Sequence, residues 1–171
     1  MKTLMTGALV LGLTTGTAFA QSTLPPSDKA ITNADKTFVS KAAAGGMAEV
    51  ELGKIATQNA GSPRVKAFGQ RMVTDHSQAN QELQEIAQQQ GIQVPTQLEP
   101  KDQALADRLR GLKGQAFDTA YMRDMVQDHR QDIADFQKEA RIGEDPNVKS
   151  FAQKTLPILQ QHLTMAQNAA K

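Results

Sequence analysis

Two stretches of this chain open helices in nearly the same letters: S-P-R-V-K-A-F-G-Q-R at Ser62–Arg71 and D-P-N-V-K-S-F-A-Q-K at Asp145–Lys154. Each sets a side-chain cap (Ser62, Asp145) before a proline at the first helical position, where its missing N–H costs nothing. Each also follows a break, Ala60-Gly61 in one case and Gly143 in the other. A helix that stops within a few residues of the next start must fold back on its predecessor. The repeat therefore predicts two helical hairpins. One pairs a helix from about Ala34 to Asn59 with a second running to about Gln90, and the other pairs a helix from about Gln115 to Arg141 with a last one from Pro146. Between them lie Gly91, the connection I-Q-V-P-T-Q-L-E-P, a short helix near Lys101–Arg110 and a Gly111/Gly114 interruption. The economical architecture is an all-α four-helix bundle. Pro157 should kink the last helix.

Composition narrows the setting. The first twenty residues carry Lys2, a short apolar run and the small-residue ending Ala18-Phe19-Ala20, the pattern of a secretory signal peptide. That run is too short and too rich in Thr and Gly to span a bilayer. The expected organisation is a signal peptide at 1–20, a flexible leader at 21–33 and a bundle domain at 34–171, exported to the periplasm or secreted, with no membrane insertion after cleavage. The chain has no cysteine, so in an oxidising compartment the fold must rest on its core. Nineteen Lys and Arg, less Lys2, leave eighteen against eighteen Asp and Glu, and aromatics are few. Such balance argues against nucleic-acid binding, which needs a basic face. Self-association is compatible with the sequence, and no protein partner can be named from it.

The chain's three histidines all fall on core-facing stripes. The second helix reads Val65, Phe68, Met72, His76, Ala79, Leu83, Ile86 at alternating threes and fours. The third long helix reads Met122, Met125, His129, Ile133, Phe136, Ala140, and the last Val148, Phe151, Thr155, Leu159, His162, Ala166. The first helix offers Phe38, Ala42, Gly45, Glu49, Leu52, Ala56, with Glu51 on a competing stripe. Depth sharpens the pattern. Glu49 precedes Pro63 by 14 residues and His76 follows it by 13, so both sit about 20 Å from the first turn. His129 precedes Pro146 by 17 and His162 follows it by 16, about 25 Å from the second turn. Each helix thus sends one Glu or His to mid-bundle.

A buried carboxylate needs a proton, a partner or a metal. Glu49, His76, His129 and His162 are the expected ligands of one transition-metal ion: Zn, Fe or Mn for one carboxylate and three imidazoles. Val73, Val126 and Leu159 stand three before the histidines, so the E-x-x-H pairs of a diiron site are absent. Met72 and Met125, one turn before their histidines, and Met165, three after His162, raise Cu(I) as an alternative, although methionine also fills irregular core gaps. Asp75 and Asp128 adjoin histidines but point about 100° away; they read as solvated or helix-bridging acids, or less readily as supports for a ligand. No phosphate loop, Ser–His–Asp arrangement or HExxH motif is present, and no catalytic residue is assigned. The competing reading is a non-catalytic structural or stress-response bundle with a metal-free Glu–His network.

The segments A-A-A-G-G-M-A-E-V-E-L-G-K-I-A, V-K-A-F-G-Q-R-M-V-T-D-H, F-D-T-A-Y-M-R-D-M-V-Q-D-H and L-P-I-L-Q-Q-H, in that order from about Phe38 onward, resemble an exported bacterial family of unknown function placed in the ferritin-like superfamily. The resemblance implies a ferritin-like bundle with a long crossover, for which Gly91–Gly114 would serve. It implies no reaction, and ferroxidase activity does not carry over without E-x-x-H. Members often bear an outer-membrane label, yet this chain has neither β-barrel alternation nor a membrane helix.

Overall fold

The computed structural model describes residues 31–170. The expected signal peptide, and all of the expected leader before Ile31, lie outside them. Five helices follow in order: α1 (Asn33–Asn59), α2 (Pro63–Gln89), α3 (Pro100–Arg110), α4 (Gly114–Ile142) and α5 (Pro146–Ala169). The punctuation acts as its chemistry dictates. Ser62 Oγ accepts from Arg64 N, and Asp145 Oδ1 accepts from Asn147 N and Val148 N, ahead of Pro63 and Pro146. Thr32 and Asp35 close a reciprocal capping box at the start of α1. Pro157 lies inside α5, which continues through it to Ala169.

Contacts at the two ends define the connectivity. At one end Asp118 of α4 accepts from Gly61 N (3.0 Å) and Ser62 N (2.8 Å), so α4 starts beside the α1–α2 turn. Asn59 Nδ2 donates there to the carbonyls of Leu109, Arg110 and Leu112. At the other end Asp35 accepts from Glu144 N and Asp145 N, both at 3.2 Å, and Gln90 donates to Asp145, so the α4–α5 turn lies where α1 begins and α2 ends. Hence α2 and α4 run parallel. The segment joining them returns the length of the bundle, with α3 laid against α1 and α4. This is two antiparallel hairpins joined by a long crossover.

Two apolar clusters fill the interior. One gathers Leu52, Ile55, Val65, Phe68, Met72, Phe117, Tyr121, Met122, Met125 and Ala166. The other gathers Phe38, Val39, Leu83, Ile86, Phe136, Val148, Phe151 and Leu159. Along each of the four long helices the switch from one cluster to the other falls at a polar residue: Glu49, His76, His129 and His162. All four are buried. The bundle is two oily halves separated by a polar belt. Glycine brings the first hairpin close at this level. A Cβ at Gly53 would sit 2.7 Å from Gly69 O, and one at Gly69 would sit 2.6 Å from Ala56 Cβ. That contact sets the α1–α2 spacing just below Glu49 and His76.

Candidate metal centre

Three imidazoles meet in the belt. Ring centroids are 5.8 Å apart for His76–His129, 5.3 Å for His76–His162 and 5.4 Å for His129–His162. One ring nitrogen from each lies within 4.8 Å of the others. Such spacing suits ligands that reach one ion at about 2 Å. The rings come from α2, α4 and α5, so the fold must be complete before they assemble.

The surroundings orient each ring through one nitrogen and leave the other bare. His129 Nδ1 lies 3.1 Å from the Met125 carbonyl, which can only accept, so this nitrogen carries the proton and Nε2 carries the lone pair. His162 Nε2 lies 2.8 Å from Asp75 Oδ2, and Arg71 donates to the same oxygen. Burial works to raise the Asp75 pKa, but the hydrogen bonds from His162 and Arg71 outweigh it and hold the group below the usual carboxylate range. Asp75 is therefore ionised and accepts, leaving His162 Nδ1 bare. His76 Nδ1 lies 2.9 Å from Glu49 Oε2, and His129 Nδ1 lies 3.3 Å from Glu49 Oε1. His76 Nε2, His129 Nε2 and His162 Nδ1 are buried and have no hydrogen-bond partner within the protein.

Electrostatics keep the rings neutral. Burial pushes all three imidazoles down to about 4, despite the pull of Asp75 on His76 and His162 and of Glu49 on His129. Burial also pushes Glu49 up to about 8, against the attraction of His129. Neutral imidazole is the metal-binding form. An ionised Glu49 beside the rings would require a cation to stay buried.

The expected four-ligand set is thus brought together but divides in role. Glu49 faces the Nδ1 atoms of His76 and His129, while the close nitrogen group consists of the three histidines alone. Glu49, not Glu51, is the buried acid of α1. Glu51 binds Arg110 at 2.6 Å on the outside of the bundle. Met72 and Met125 pack within the apolar half, and Met165 is 38% exposed. Asp75 bridges α2 to α5 and holds a histidine, the role given less weight from sequence. Asp132 was missed. Its carboxylate joins Glu49 and Asp128 in a second close group. The available signal was its position three residues, about one turn, after His129, which places it on the same side of α4.

Several solved structures share this fold. A DUF305 fragment from Deinococcus radiodurans superposes with a TM-score of 0.72 at 12% identity, covering 85% of this chain and 98% of its own. CopM in its Cu(I)-bound form gives 0.66 at 15% identity over 78% of this chain and 93% of its own, and the Cu(II)-bound form gives 0.67 at 15% over 80% and 95%. At these identities the likeness is one of fold. No curated protein matches the chain. The family model for DUF4142, a domain of unknown function, matches residues 20–169, and the chain belongs to that family.

Proposed function

We propose that this protein is an exported metal-binding bundle that holds one Cu(I) ion between His76, His129 and His162. The observation that carries the reading is the set of three buried ring nitrogens without partners, each on a ring whose opposite nitrogen is already engaged. A metal-free network would pair those atoms with one another or with Glu49, because each buried orphan costs about 1–3 kcal/mol. Imidazole suits copper and zinc alike. Three neutral imidazoles bring no charge of their own, a donor set that suits a monovalent ion. CopM, a protein with the same fold, is seen with Cu(I) and with Cu(II) bound, which supports copper as the metal. Thioethers are not needed for it, since Met72 and Met125 serve the apolar core.

Export rests on the sequence pattern of residues 1–20 and on a family match that begins at residue 20. No described helix is long and apolar enough to cross a membrane. The parallel run of α2 and α4 supports the ferritin-like affiliation. Anaerobic titration of untagged protein against a chromophoric Cu(I) chelator tests the reading. One equivalent should be withheld from the chelator, and His129→Ala should release it. Uptake well below one equivalent, or uptake indifferent to that substitution, would leave a structural bundle with a metal-free network.

A further inference from the structure

Beside the three imidazoles lies a group that the Cu(I) reading leaves unused. One carboxylate oxygen from each of Glu49, Asp128 and Asp132 lies within 4.8 Å of the others. Crowded carboxylates on a protein surface are common and mean little, but this group is anchored inside. Glu49 is 1% exposed, and its Oε1 has no hydrogen-bond partner within the protein. Among the described residues no lysine or arginine forms an ion pair with any of the three. The only pairs Glu49 forms among the described residues are with His76 and His129, and Asp128 and Asp132 form no ion pair there. Lys101 acts on both aspartates through charge alone, and His76 does so on Asp128.

There is room and a way in. A cavity of about 20 Å³, space for one small ion or water, is lined by Glu49, His76 and Asp132 among others, while Asp128 lines a separate pocket on the other side with Asp102 and Asp124. Asp132 also lines a larger pocket of about 360 Å³ between the start of α1 and the end of α4, with Asp35, Asp135, Glu139 and Glu144 around it. Asp132 therefore stands on the wall between an acidic outer pocket and the inner cavity. The internal repeat gives its position a meaning. The offset of 83 residues that relates Pro63 to Pro146 also relates Asp35 to Asp118, the two acids that bind the opposite turns, and Glu49 to Asp132. The two acids are repeat equivalents, contributed to one spot by α1 and α4.

We propose that Glu49, Asp128 and Asp132 form a second cation site, all oxygen, for a divalent ion of the hard class such as Mn²⁺. Carboxylate oxygens select such ions, while the adjoining imidazoles select softer ones. The charges close when both sites are considered together: one monovalent and one divalent ion meet three carboxylates.

Mn(II) electron paramagnetic resonance tests this, because Cu(I) is silent in that experiment. The full chain is titrated with Mn(II) both metal-free and after Cu(I) loading. Wild type should bind one Mn(II) per chain in at least one of these states. Asp132→Asn, nearly equal in shape, should weaken that binding by at least about tenfold, since affinity for such ions follows ligand charge. It should leave the Cu(I) equivalent intact, and Asp135→Asn in the outer pocket should change neither. If Asp132→Asn fails to fold, as read by circular dichroism, Asp128→Asn takes its place. Mn(II) uptake without Cu(I) uptake supports this site and overturns the imidazole reading alone. Absence of Mn(II) binding by wild type, or equal binding by all variants, overturns the second site whatever copper does.

Discussion

His162 owes its orientation to a residue from another helix. Asp75, held by Arg71 on its own helix, accepts from His162 Nε2 and so leaves the buried Nδ1 without a partner. Asp75→Ala should keep the fold yet weaken Cu(I) binding by about 10–100-fold, the usual effect of removing a ligand's support. Competition titration reads this directly, and unchanged affinity would mean that Asp75 only bridges helices. The acids of the belt also set a pH dependence for the metal-free protein. Burial raises Glu49 to about 8 and Asp132 to about 9, in the latter case with repulsion from Glu49 and Asp128, and outside the belt, beside Asp35 at the end of α4, it raises Glu139 to about 7. The folded chain holds these protons after the unfolded chain has released them, so stability falls as pH rises. Between pH 4.5 and 6.5 the three histidines oppose this, because the unfolded chain takes up protons that the folded one refuses. Above pH 6.5 only the carboxylates count. The melting temperature should therefore decline from pH 6.5 to pH 9, and Glu49→Gln should make the decline shallower. A flat profile in both proteins would contradict buried, protonated acids. At this scale the sequence told which residues reach the centre, since depth follows from counting along helices. It did not tell which nitrogen each ring presents, because that depends on Asp75 and Met125 O, which only the packed structure positions.

Among the elements, helix boundaries were the most legible feature. Ser62-Pro63, Asp145-Pro146 and Gly143 act locally, so their chemistry needs no knowledge of the fold, and observed boundaries fall within a residue or so of those expected. The close approach of α1 and α2 was less visible. Nothing in the sequence sets Gly53 and Gly69 apart, and only the facing helix shows why neither tolerates a Cβ. Gly69→Ala should gain helix propensity on its own helix yet destabilise the protein by about 1–3 kcal/mol through overpacking. Urea denaturation measures the net effect. A stabilised variant would mean that the hairpin relaxes freely, and with it the seat of Glu49 opposite His76.

At the scale of the whole molecule, two aspartates lock the hairpins together from opposite ends. Asp118 holds the α1–α2 turn and Asp35 holds the α4–α5 turn. Neither stands out along the sequence, because each turn it binds lies more than fifty residues away. Losing Asp118 to alanine should cost about 1–3 kcal/mol, as two backbone donors lose their acceptor. The belt depends on such long-range register: the three rings come from three helices and coincide only if both hairpins dock at the right height. A bound metal is the consequence of that docking. X-ray absorption on the Cu(I)-loaded protein reads it out. The prediction is a shell of three imidazole nitrogens at about 2.0 Å, with no sulfur, lost on His162→Ala. A sulfur-containing shell, or copper whose surroundings are the same with and without His162, would contradict it.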